Sequence, residues 1–173
     1  MGILDSLNDI LKNYSGSQTQ NTANAAEHFD QVAQAAPRNV IAEGLAAAFR
    51  SDQTPAFGNL VGNLFGQSSG EQKAGILNQL LASVGPGVLA QLAGGGALTR
   101  LAGTAGQPVT PDQAQGISPE VVQQLATHAE KSDPSIVDKA SAFYAQHSSL
   151  VKTLGGAALT IALAKVAERQ KAA

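Results

Sequence analysis

Ser69-Gly70-Glu71-Gln72-Lys73-Ala74-Gly75-Ile76-Leu77-Asn78-Gln79-Leu80-Leu81-Ala82-Ser83-Val84 carries the assignment of fold class. A serine followed three residues later by glutamine has the spacing of a capping box, in which each side chain occupies a backbone N–H left free at a helix start. Ser68 with Glu71 offers the same spacing one residue earlier. Leu77, Leu80, Leu81 and Val84 then recur three and four residues apart, which places them on one helical face. Nowhere in the chain does apolar and polar character alternate with a period of two between turn signals, so no strand is expected. The expected class is all-α: a compact multi-helix bundle of short helices.

Towards the N-terminus the helical period continues through Phe57 to Phe65, beyond a break at Ser51-Asp52-Gln53-Thr54-Pro55. Pro37 pre-sets the first turn of a helix over Val40 to Phe49. Ala25, Phe29, Val32 and Ala36 form one stripe in an Ala-rich helix from Thr22 to Ala36. A run of Ser, Gly, Gln, Thr and Asn over residues 15–21 reads as a polar linker. Ahead of it, Ile3, Leu4, Leu7, Ile10, Leu11 and Tyr14 make an amphipathic helix, expected to be separable from the body. Leu4, Leu7, Leu11 and Tyr14 alternate three and four apart, the spacing of a short helix-to-helix seam, and are expected to attach to a neighbouring subunit or to the body.

Towards the C-terminus, Arg100 is the one charged residue between Ala74 and Pro111, in a stretch cut by Gly85-Pro86-Gly87, Gly94-Gly95-Gly96 and Gly103. Leu89-Ala90-Gln91-Leu92-Ala93-Gly94 is faintly echoed by Leu98-Thr99-Arg100-Leu101-Ala102-Gly103, too few copies for a solenoid. Pro108 and Pro111 mark a boundary. Ser118-Pro119 and Asp133-Pro134 each set a capping side chain before a proline, predicting helices near 119–131 and 134–146. In the last segment, Leu150 to Ala167, the run Leu154 to Ala164 is apolar on nearly every face before Lys165, Glu168, Arg169 and Lys171, and that run is well short of the ~20 residues that span a bilayer. The expected organisation is therefore a helix at 1–14, a linker at 15–21, a helical region at 22–106, a connecting loop at 107–117 and a second helical region at 118–173.

Composition narrows the function classes. With 11 basic and 13 acidic residues and a net charge of −2, the chain has no electrostatic footprint for nucleic acid. No cysteine is present, so disulfides, thiolate nucleophiles and Cys-based metal sites are excluded. Met1-Gly2-Ile3-Leu4-Asp5 lacks the basic start and apolar run of a secretory signal, making the cytoplasm the expected location. Aromatic residues make up only 4%, so a core of Ala, Leu, Val and Ile is expected to form tight, shallow helix contacts that a second copy could complete.

Few motifs point to chemistry. Gly66-Gln67-Ser68-Ser69-Gly70 matches a nucleophile elbow, but that turn needs a buried strand before it, and the context is helical. His28, His128 and His147 are preceded three residues earlier by Ala25, Leu125 and Tyr144, so no Glu-x-x-His ligand pair exists. No catalytic residue, metal site or cofactor is expected, and the chain is read as a non-enzyme. Gly58, Gly62 and Gly66 recur every fourth residue on one helix face, where each costs ~1 kcal/mol relative to alanine and calls for close backbone packing in return. That packing is expected within the chain, with a contact between subunits or with lipid as the alternatives.

Met1-Gly2-Ile3-Leu4-Asp5, the Ala/Gly/Leu-rich middle, Ser132-Asp133-Pro134-Ser135-Ile136-Val137-Asp138, Phe143-Tyr144-Ala145-Gln146-His147 and Leu150-Val151-Lys152-Thr153-Leu154-Gly155 resemble small bacterial helical proteins of the YidB-type domain. The resemblance covers the N-terminal tip and the last third of the chain, and departs from that domain in lacking a Leu-Pro close. It implies a bacterial helical protein with no assigned chemistry and no site residues. The expected function is accordingly non-catalytic interaction or self-assembly, with the chain itself or another protein as partner. Leu4, Leu7, Leu11, Tyr14, Gly58, Gly62, Gly66, Leu154 and Ile161 are the expected contact residues. The alternative expectation is a peripheral membrane or lipid-binding protein using the first helix and the apolar segment Leu154 to Ala164. Asp5 and Asp9 on the polar face of that helix disfavour an anionic surface.

Overall fold

The computed structural model describes residues 2–14, 24–92 and 107–172, except for the side chains of Ile3, Leu4 and Pro86. Among the described residues every regular element is helical, in agreement with the all-α expectation. The helices are α1 (Ile3–Tyr14), α2 (Ala25–Ala35), α3 (Arg38–Arg50), α4 (Phe57–Gln67), α5 (Gly70–Ser83) and α6 (Pro86–Leu92). They continue with α7 (Pro111–Gln115), α8 (Pro119–Ser132), α9 (Ile136–Ala145), α10 (Ser148–Val151), a 3-10 turn (Lys152–Leu154) and α11 (Gly156–Ala172). The expected polar linker and most of the echoed Leu-Ala-Gly segment lie outside the described residues.

The chain divides into two compact units, and the division is discontinuous in sequence. Met1–Pro55 and Ser141–Ala173 form the first unit, and Ala56–Ala140 the second. The expected boundary at 107–117 falls inside the second unit, because Asn78 of α5 clamps that stretch: its Oδ1 accepts the Val109 N–H at 2.7 Å. The stretch is also not a plain loop. Thr110 and Gln113 close a second capping box, and Pro111 begins α7.

In the first unit α11 is the central helix. It packs mainly on α3 and also against α2 and α1. Its buried side consists of Ala158, Leu159, Thr160, Ala162, Leu163, Val166 and Ala167, so the helix backbones come close. Closeness is greatest at Gly44 of α3, where a Cβ would stand 2.7 Å from the Ala162 carbonyl oxygen. Thr160 is buried in this side without cost, since its hydroxyl donates to the Gly156 carbonyl at 2.7 Å. Arg169 and Glu43 tie α11 to α3 at the unit's surface, with Arg169 Nη2 donating to Glu43 Oε1 at 2.8 Å. The expected apolar segment Leu150 to Ala167 is not continuous: Gly155 interrupts it at φ 93°, a backbone state glycine adopts without strain.

The stripe Ala25, Phe29, Val32 and Ala36 is buried as expected from its period. Leu7, Leu11 and Tyr14 of α1 are buried as well, against α2 and α11. Scarcity of aromatic side chains is offset by their placement: Phe29, Phe49 and Tyr144 all lie in the core of this unit. Phe49 and Phe143 meet the Tyr144 ring edge-on, with centroids 6.2 and 5.4 Å away.

The second unit is built on α4 crossing α8, with α5 against α7 and α8, and α6 against α8. Ser69 and Gln72 form the capping box that starts α5, and Ala74, Ile76, Leu77 and Leu80 face its core. Phe57, Leu60, Val61, Leu64 and Phe65 of α4 are buried with Val122, Leu125, Ala126 and Ala129 of α8. Ser118 makes no side-chain cap at the start of α8, unlike the expectation. Asp133 does not cap a helix beginning at Pro134; its Oδ1 takes the Ser135 N–H and hydroxyl at 3.1 and 2.6 Å, and α9 begins at Ile136.

Candidate interaction surface

The glycines of α4 show what a helix contact in this chain is made of. A Cβ on Gly58 would clash with Thr127 Oγ1 and stand 2.6 Å from the Gln123 carbonyl oxygen of α8. One on Gly62 would lie 3.1 Å from the Pro119 carbonyl oxygen, and one on Gly66 would reach Pro119 Cγ at an ordinary 3.6 Å. The stripe thus serves the α4 and α8 crossing within the second unit, tightest at Gly58 and relaxing to the exposed Gly66.

The other expected contact residues fall into two groups. Leu7, Leu11 and Tyr14 are buried inside the first unit, and the side chain of Leu4 lies outside the described residues. Tyr14 also hydrogen-bonds His28 of α2, Oη to Nδ1 at 2.7 Å, with the rings edge-on. Burial pushes the Tyr14 phenol above its ordinary pKa. Leu154 and Ile161, in contrast, remain half-buried at the surface of the same unit.

Ile161 is part of a face that the sequence left unresolved. Ala157, Ile161 and Ala164 follow one another four and three residues apart on the side of α11 opposite its buried stripe, and none is buried. Over those turns the outer side of α11 carries no charge; Lys165, Glu168 and Lys171 enter only in its second half. Lys165 Nζ is 3.1 Å from Glu168 Oε2, and Arg169 is held by Glu43. The Arg169 guanidinium holds the Glu43 carboxyl below the usual carboxylate range, and the carboxylate raises Arg169 in return. Both groups are solvent-exposed, so the pair orients α11 on α3 and adds little stability.

Ser68, Ser69, His28 and His147 are engaged structurally. Ser68 donates its hydroxyl to the Leu64 carbonyl at 2.7 Å, closing the last turn of α4, and Ser69 caps α5. His28 meets Tyr14, and the His147 ring lies 4.8 Å from that of Phe143. His128 lines an open hollow with Glu120, Gln123, Gln124 and Thr127 along α8. Among the described residues no three His, Asp or Glu side chains are grouped to hold a metal ion, and no helix is long and apolar enough to cross a membrane. Comparison of the chain with protein-family models, curated proteins and solved structures gives no match.

Proposed function

We propose that this chain is a non-catalytic protein of the bacterial cytoplasm that associates with copies of itself through helix-packing surfaces. The observation that carries the reading is the uncharged, incompletely covered outer side of α11, Ala157-Ile161-Ala164, on the central helix of the first unit. An isoleucine flanked by two alanines on one side of a helix is a knob with a shallow seat on either side, so two such faces fit one another by a twofold crossing. Between Ala157 and Ala164 the face carries no charge, so a crossing centred on Ile161 sets no charged side chain of α11 at its middle. A lipid surface is less well supported. Of the three basic side chains beside this face, Lys165 and Arg169 are already paired with carboxylates, leaving a weak basic rim.

Sedimentation velocity of the full chain over a range of micromolar concentrations tests the reading. Self-association that Ile161→Asp weakens at least tenfold is the expected result, since covering half of an isoleucine in each copy is worth about 1 kcal/mol apiece. Ala157→Leu and Ala164→Leu sharpen the test. Both positions face outward, so the fold tolerates them; a fitted crossing loses its seats and weakens, whereas a mere apolar patch grows and strengthens. A monomer at every concentration overturns the proposal.

A further inference from the structure

No further inference is drawn: the strongest candidate, the groove of about 350 Å³ between α1 and α2 lined by Ser6, Leu7, Ile10, Gln31, Gln34 and Ala35, is an open furrow between two helices, and nothing in the structure shows what covers it.

Discussion

Tyr144 is fully buried beside Phe49 and Phe143, yet among the described residues nothing forms a hydrogen bond with its hydroxyl. In the unfolded chain that hydroxyl is hydrated, so folding strips water from it without replacement, at a cost of about 1–3 kcal/mol. Tyr144→Phe removes the cost and keeps the ring. Loss of one atom from a packed site opens a small void worth roughly 0.5 kcal/mol, so the variant is expected to gain about 1 kcal/mol. For a chain of this size that corresponds to a melting temperature higher by about 2–4 °C. Thermal melts followed by circular dichroism, with urea titrations to confirm an unchanged slope, measure it.

The same burial pushes the Tyr144 phenol far above its ordinary value, which makes a second, independent expectation. A group whose native pKa is raised binds its proton more tightly in the folded state. Stability is thus unaffected by this ionisation below the unfolded value near 10 and falls as pH rises beyond it, because the unfolded chain can release the proton and the folded one holds it. Wild-type stability should therefore fall above about pH 10 more steeply than that of Tyr144→Phe. A Tyr144→Phe protein that melts lower than wild type at pH 7 refutes the reasoning, because the hydroxyl would then have a partner worth keeping.

The α4 glycines give a graded series. Gly58→Ala should destabilise by about 1–3 kcal/mol through the clash with α8, Gly62→Ala by less, and Gly66→Ala should stabilise by roughly 0.5–1 kcal/mol, with denaturant midpoints reading the order. Leu11→Ala is expected to cost about 2–5 kcal/mol, since Leu11 is buried against the first unit; a change under 0.5 kcal/mol would show that α1 contributes nothing to the body's stability. Asp133, hydrogen-bonded by Ser135 and Lys139, has a pKa lowered to about 2. Its contribution is present above the unfolded carboxylate value and fades as pH falls towards 2, so Asp133→Ala should destabilise at pH 7 and match wild type near pH 2.

Local chemistry was the readable part of the sequence. The Ser69 and Gln72 box, the turn set by Pro37 and the stripe through Phe29 and Val32 depend on neighbours within one or two turns, and the structure has them where the spacing put them. Thr110-Pro111-Asp112-Gln113 obeys the same capping rule as Ser69 to Gln72, so α7 is legible in the sequence, although Pro108 and Pro111 together also carry the signature of a boundary. Ser118 kept the right residue type without making the bond, and Asp133 spent its carboxylate on the turn before α9 rather than on a cap.

What the period could not convey is which helices pair. Nothing near Gly44 announces that its missing side chain makes room for Ala162, and nothing near Asn78 announces Val109. The candidate surface shows the same limit. The first half of α11, Gly156 to Ala164, has no polar face to mark its outside, so there only the packing of the helix on α1, α2 and α3 distinguishes Leu163, which is buried, from Ile161, which is not.

The insertion of Ala56–Ala140 into the first unit orders events during synthesis. The second unit is one unbroken stretch and can close as soon as α8 and the start of α9 have left the ribosome. The first unit cannot, because its central helix α11 is encoded after that whole insertion. At roughly 5–20 residues per second, translation of the insertion alone takes on the order of 10 s. For that interval α2 and α3, with Phe29, Ile41, Leu45 and Phe49, exist without the central helix on which they pack in the finished protein.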